Sequence, residues 1–253
     1  MIYDLQRASM LKRISAWLLD VILLCITATL MGLILSAVLN YDHYSQQLDD
    51  RYAYYEAEYG VSRDLTQEQV DTMTPDQLAA LEAASQAIAS DEEAIFAYRM
   101  LLQLIILIVS FGILLAYILL ECIIPQLLQN GQTIGKKIFS IGVMRQDGVK
   151  VNSVCMFIRT VLGKYAIETM IPVMMMTLLF FGTVGLIGWA IIVAIAIAEI
   201  ALLLTTKERC MIHDKLANTV TVDLPSQMIF NTPEDLLAYK QKVAAEKAAN
   251  QVY

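Results

Sequence analysis

Charge is sparse in this 253-residue chain: 17% of its residues are Asp, Glu, Lys or Arg, against 57% hydrophobic. Soluble domains run at about 45–50% apolar, so an excess broken by polar blocks excludes an ordinary soluble domain and points to a polytopic membrane protein. Histidine is almost missing, with His43 and His213 the two present. The cysteines, at positions 25, 122, 155 and 210, show no C-x-x-C spacing, so neither a disulfide framework nor a cysteine metal site is expected. No nucleophile–base arrangement and no cofactor fingerprint can be read. We therefore expect no enzyme, no cofactor, no metal and no nucleic-acid partner.

What the chain does have begins with the apolar run 14–39, which is 26 residues long and carries one charge, Asp20. That length crosses a bilayer with some tilt. A carboxylate within such a span costs roughly 2.5–3.5 kcal/mol on insertion scales, so something must offset it. Lys12 and Arg13 stand just before the run, and its length and Asp20 make it a retained signal-anchor rather than a cleaved signal peptide.

Residues 40–99 hold the acidity. Between Asp42 and Arg99 lie 13 Asp/Glu and 3 Lys/Arg, an excess larger than the whole net charge of −7. The segment reads as helical: Thr66 with Gln69, Thr74 with Gln77, and Ser90 with Glu93 fit the capping-box spacing, and Pro75 sits at a first helical position. Leu48, Tyr52, Tyr55 and Tyr59 share one helical face. Packing between short helices or at the membrane interface is the expected use of that stripe, ahead of a sugar or partner surface.

A second apolar run, 101–128, is charged only at Glu121 and is expected to continue a helix from Ser90 and to end near Pro125. The segment 129–164 carries six bases, Lys136, Lys137, Arg145, Lys150, Arg159 and Lys164, against Asp147 alone, which predicts a cytoplasmic loop. Within it, IGVMRQDGVKV predicts a β-hairpin about its D-G turn, which TVTVDL after Ala217 could join. The apolar region 165–206 is 42 residues long, enough for two spans, with Gly182, Gly185 and Gly188 marking the turn. Four spans put Lys207, Arg209 and Lys215 inside, whereas three would put them outside, so four is the prediction. Thr232-Pro233-Glu234-Asp235 caps a last soluble helix.

The expected architecture is an all-α integral membrane protein with four transmembrane helices and both termini inside, carrying an extracytoplasmic helical insert and a small cytoplasmic β-hairpin element. Its parts are residues 1–39 (N-terminus and first span), 40–99 (acidic extracytoplasmic segment), 100–222 (a core with three spans and the loop 129–164) and 223–253 (a cytoplasmic tail helix). Each span then carries one carboxylate, Asp20, Glu121, Glu168 or Glu199, displaced toward the inner side, and no span contains a base. Arg13, Lys136, Lys137, Arg159, Lys164, Arg209 and His213 sit at the inner boundary. Arg13 and Asp20 lie about 10 Å apart along the axis, so each is expected to meet another element, with Arg13, Arg159 and Asp214 as Asp20's likeliest surroundings. Acids without internal bases suit a cation or proton path. Equally, the same charges can lock a helix bundle to its loop.

The stretches RISAWLLD, GQTIGKKIFSIGVMRQDG, FIRTVLGK and RCMIHDKLANTVTV, taken in order, resemble the RDD family of membrane proteins. Arg13 and Asp20 match its first arginine and aspartate. Gly131, Thr133, Gly135 and Lys136 match its glycine-rich middle, Arg159 the arginine that follows, and His213-Asp214 its C-terminal segment. The resemblance spans 7–39 and 101–222, and implies an integral membrane protein with a transport role and no named ligand. G-Q-T-I-G-K-K is no phosphate loop, since Lys137 stands where Ser or Thr is needed; Gly131 and Gly135 are expected to shape a turn. His213-Asp214 lacks the further ligands of a metal site.

Together these readings predict transport, cation- or proton-coupled, in the cell membrane, through a polar network of Arg13, Asp20, Glu121, Arg159, Glu168, Glu199, His213 and Asp214. Partners expected are the lipid bilayer, a small cation, and further copies of the chain, because four helices make a thin pathway. The alternative is a non-transporting assembly or sensor protein whose acidic ectodomain binds an extracytoplasmic protein partner.

Overall fold

A computed structural model describes residues 4–128, 131–180 and 182–250. The first two positions of the expected 129–164 segment and the last three of the tail lie outside the described residues. The chain is mostly helical with one two-stranded sheet. Among the described residues, four helices are long and apolar enough to cross a membrane: α1 (Met10–Val38), α5 (Glu92–Leu127), α7 (Ser153–Phe180) and α8 (Gly185–Thr205). Between α1 and α5 lie α2 (Tyr41–Tyr59), α3 (Gln67–Asp71) and α4 (Pro75–Ser90). After α5 come α6 (Ile134–Ile138) and β1 (Ile141–Arg145); after α8 come α9 (Ile212–Leu216), β2 (Thr219–Asp223) and α10 (Pro233–Asn250). The chain divides into two compact units, residues 29–112 and residues 1–28 with 113–253.

In the 29–112 unit, α3 and α4 open with complete capping boxes at Thr66/Gln69 and Thr74/Gln77, with Pro75 in the first turn of α4. The third expected box differs. Ser90 ends α4, its hydroxyl donating back to the Gln86 carbonyl, and Asp91 takes the capping role: Oδ1 accepts the Ala94 N–H at 2.8 Å. Asp91 Oδ2 meanwhile accepts from the Arg51 guanidinium and from the Tyr55 hydroxyl, the latter at 2.8 Å. A carboxylate also bonds Arg at no loss to the cap, because it has four lone-pair sites where a serine hydroxyl has two. The Ala94 N–H, then Arg51, hold its pKa down at about 2. Of the tyrosine stripe on α2, Tyr55 thus serves this cap, while Leu48 and Tyr52 line a groove with Ile88 and Tyr98.

The other unit is built around the sheet. β1 and β2 pair antiparallel in the register Ile141↔Asp223 to Arg145↔Thr219, and Met144, Val220 and Val222 pack with Cys210 beneath Ile229. The expected hairpin is therefore corrected. The Asp147-Gly148 turn forms, with the Gly148 N–H on the Arg145 carbonyl at 3.0 Å and the Arg145 N–H on the Val149 carbonyl at 2.9 Å, but the returning arm forms no strand and pairs with β1 through the isolated bridge Met144↔Lys150. Its backbone is engaged by Phe230 instead, through Lys150 N–H to Phe230 O at 2.8 Å and Phe230 N–H to Gly148 O at 3.1 Å. The ladder goes to the distant β2, whose other edge takes the Asp223 N–H bond to Gln6 O at 3.0 Å.

A second correction concerns α7. It begins at Ser153, capped by Asn152 Oδ1 on the Cys155 N–H at 2.8 Å, not at Tyr165. Arg159 and Lys164 therefore stand within a long helix rather than in a loop. Both α5 and α7 widen locally into π-helix, over Ile118–Ile123 and Ile158–Met170. Glu121, Arg159, Lys164 and Glu168 all fall in those stretches. π-turns of this kind gather at functional sites.

Asp91 makes one prediction here. Asp91→Ala removes a cap worth about 1 kcal/mol or more and leaves Arg51 without its carboxylate. Limited proteolysis of the intact protein should then cut between residues 60 and 92 faster than in the wild type; equal rates would contradict this role.

Candidate functional site

Asp20 projects from α1 onto the start of α6. Thr133 Oγ1 donates to its Oδ2 at 2.5 Å and the Gly135 N–H donates to its Oδ1 at 2.8 Å. Thr133 also caps α6, accepting the Lys136 N–H at 3.3 Å. Gly135 is needed because of proximity: a Cβ there would strike the Ala16 carbonyl oxygen of α1 and come within 2.8 Å of Asp20 Oδ1. The neighbours expected for Asp20, Arg13, Arg159 and Asp214, are thus replaced by the glycine-rich loop. Gly131, the other glycine there, turns the chain with φ of 61° against Val143 and Val151, apart from the ionic contacts.

Lys136 links Asp20 to α5. Its Nζ lies 3.9 Å from Asp20 Oδ2 and 3.9 Å from Glu121 Oε2, and donates to Thr133 Oγ1 at 3.2 Å. Burial pulls the Lys136 amine down to about 8, against the opposing pull of Glu121. Glu121 has a nearer partner in Lys164 Nζ, at 2.6 Å, and its main-chain carbonyl accepts from Thr160 Oγ1 at 2.9 Å.

The second cluster joins α7, α8 and α9. Arg159 donates from Nε and Nη2 to Asp214 Oδ1, at 3.1 and 2.9 Å, and the residues are 2% and 1% exposed. Thr219 Oγ1 adds a bond to the same oxygen at 3.1 Å. Arg13 approaches from α1, its Nη2 4.0 Å from Asp214 Oδ2 and its Nη1 donating to the Arg209 carbonyl at 2.6 Å. Arg159 Nη2 also meets His213 Nε2 at 3.0 Å. A guanidinium has no acceptor, so Nε2 accepts and the ring proton is on Nδ1, which contacts both Glu168 oxygens at 2.8 Å. Gly163 permits this close packing of α9 on α7, since a Cβ there would lie 2.5 Å from the His213 Cβ. Glu199 closes the chain: its carboxyl neighbours that of Glu168 and accepts the Ile212 N–H at 3.3 Å. No base pairs directly with Glu199 among the described residues.

Burial lowers the pKa of His213 against the opposing charge of Asp214. For Asp214, burial alone would raise the pKa, but the Arg159 and Arg13 charges and the Thr219 hydrogen bond outweigh it and hold the carboxyl well below its usual range. A cavity of about 330 Å³ adjoins both clusters, lined by Arg13, Asp20, Glu121, Lys136, Arg159, Lys164, Glu168 and His213 together with apolar residues of α1. All eight residues of the expected network are thus in one unit, six of them on the cavity wall, with Asp214 and Glu199 behind it. Thr133, Thr160 and Thr219 were not singled out as partners of these charges. Only Thr133 had a signal, as a helix-capping residue before I-G-K-K.

Among known proteins, the model of the RDD family matches residues 7–218. No curated protein and no solved structure matches the chain.

Two outcomes follow from the packing and the protonation. Gly135→Ala should lower the thermal stability of detergent-solubilised protein by about 1–3 kcal/mol, the usual size of an overpacking penalty. Gly32→Ala, whose Cβ would meet Ile108 at an ordinary 3.8 Å, should not. His213 faces Arg159, Asp214 and Glu168 and is uncharged when folded, so the unfolded chain binds the extra proton first as pH falls below about 6.5. Stability must then decline on acidification from that point. Melting curves taken from about pH 7.5 to about pH 5.5 should show a decline that His213→Gln flattens; an equal slope in H213Q would refute a neutral His213.

Proposed function

The chain belongs to the RDD family of membrane proteins, and from that premise we propose that it is a proton-coupled transporter whose path is the ion-pair network around the cavity. One observation carries the reading. Among the described residues, five carboxylates (Asp20, Glu121, Glu168, Glu199 and Asp214) share this network with four fixed bases (Arg13, Lys136, Arg159 and Lys164) and one neutral histidine. Such a set is neutral when it holds one proton, and the adjoining carboxyls of Glu168 and Glu199, relayed to His213, are where that proton resides. Like charges in contact favour one shared proton over two full charges. The four bases, two of them within α7, weigh against a bare metal-cation path, because they already neutralise four of the five acids.

In this reading both termini and the β-ribbon face the cytoplasm, the acidic 40–99 segment lies outside, the bilayer is the cell membrane, and copies of the chain assemble around the thin four-helix pathway. The poverty of residues 40–99 in Lys and Arg and the bases that follow α8 support this orientation. A second reading, a non-transporting assembly protein, is favoured by one detail: both Asp20 oxygens are engaged by α6, as in a structural clamp.

The two separate in proteoliposomes loaded with a pH-sensitive dye. Under the transport reading an imposed potential, or a Na⁺ or K⁺ gradient, moves protons, and Glu168→Gln reduces that movement while the protein stays folded and inserted. Proton movement no greater than in protein-free liposomes would overturn it. Asp20→Asn should alter flux in the transport reading, and chiefly detergent stability in the assembly reading.

A further inference from the structure

The cavity is larger than a proton path requires. A water molecule's share of liquid is about 30 Å³, so about 330 Å³ is room for an organic molecule, at the lower end of small-ligand sites. Two buried polar atoms around it lack a regular hydrogen bond, Glu121 Oε2 and Arg159 Nη1, but Glu121 Oε2 already faces the ammonium groups of Lys164 at 2.6 Å and Lys136 at 3.9 Å, so the capacity left over is on the donors. The Asp20 oxygens are taken by Thr133 and Gly135, and the Glu168 oxygens by His213. The donors are not exhausted. Arg159 uses Nε and Nη2, and its Nη1 has no hydrogen-bond partner among the described residues although the residue is 2% exposed. Each ammonium has three donors, of which Lys164 gives one to Glu121 and Lys136 one to Thr133. Unused donors on buried cations call for an acceptor-only group, and an arginine fork fits a carboxylate or phosphate.

Apart from Tyr117 and Thr221 the rest of the lining is apolar, and includes Ile14, Trp17, Val21 and Leu24 of α1 and Leu203 of α8. Ile14 and Trp17 are 54% and 58% exposed, so the cavity reaches the apolar outer surface of a membrane-crossing helix. We propose that this cavity binds an amphipathic organic anion, its carboxylate or phosphate head among the lining cations Arg159, Lys136 and Lys164 and its apolar body along Ile14, Trp17, Val21 and Leu24. The inference rests on the proton-coupled reading for its charge balance, since an entering anion is matched by one further proton on the Glu168–His213 relay. Binding itself does not depend on flux.

The chain holds two tryptophans, so Trp189→Phe leaves Trp17 as the reporter. In nonionic detergent, brominated decanoate should quench Trp17 saturably. Decanoate or decyl phosphate should relieve the quenching and decanol should not; the better competitor identifies the head group. Arg159→Lys should weaken binding about tenfold or more. Arg159 also holds Asp214, so Val21→Phe, which fills the apolar side and touches no ion pair, is the second variant and should weaken binding similarly. Non-saturable quenching, relief by decanol equal to that by decanoate, or no change in well-folded V21F would each overturn the proposal. Saturable quenching without proton movement in liposomes would sink the transport reading and leave the site; proton movement without saturable quenching would do the reverse.

Discussion

The pairing of Arg159 with Asp214 is the constraint on which the charged end of the helices depends. A guanidinium 2% exposed and a carboxylate 1% exposed are stable together and costly apart: removing one partner of such a buried pair typically costs about 3–5 kcal/mol. The surrounding sequence can be read as what the pair requires. Gly163 lets α9 come close enough to α7 to deliver Asp214. Thr219, at the first position of β2, satisfies Asp214 Oδ1 from the other side. The π-helical stretch Ile158–Met170 contains Arg159, Lys164 and Glu168 together, and a wider turn spreads their side chains differently from a regular helix.

Asp20 is the second anchor, and it is neutralised in another way. It is met by a hydroxyl, a main-chain N–H and, at 3.9 Å, an ammonium. Hydrogen bonds to the charged form lower the cost of burying it without a second full charge in contact. The short helix α6 thus ties α1 to β1, which follows it directly, and β1 pairs with β2 beside Asp214. The two anchors are therefore joined by the ribbon as well as by the cavity between their side chains.

Much of this was legible in local pattern. The four spans, the capping boxes at Thr66 and Thr74, and the turn near Gly182 follow from hydropathy and short-range spacing, which depend on neighbours in sequence. The start of α7 was not legible, because Arg159 and Lys164 look like loop residues to any reading that prices charges against lipid. Only their partners Asp214 and Glu121, 55 and 43 positions away in the chain, make them acceptable within a helix. The β-hairpin was misassigned for a related reason. A D-G turn specifies a reversal, but the register of a strand is settled by which segment offers a matching buried face, and β2 offers one while Lys150 does not. The eight network residues were identifiable as charges in or near apolar helices; which of them touch depends on contacts that no spacing encodes.

The charge inventory carries the argument furthest. With bases absent from the spans, four acids would favour a cation. Arg159 and Lys164 in α7, with Arg13 and Lys136 beside them, set four bases against five carboxylates once Asp214 is counted, and Glu199, which accepts the Ile212 N–H and adjoins the Glu168 carboxyl, is the one that no base meets among the described residues. In the proton-coupled reading, a lone surplus acid against Glu168, itself bonded to the Nδ1 of a neutral His213, holds one mobile proton at the end of a chain whose other end is Arg159. Binding a negative group at Arg159 raises proton affinity along that chain, and protonation of the chain strengthens the attraction at Arg159. By linkage the two effects are equal in size, so in that reading a fixed network of ion pairs couples the binding of an anion to the binding of a proton.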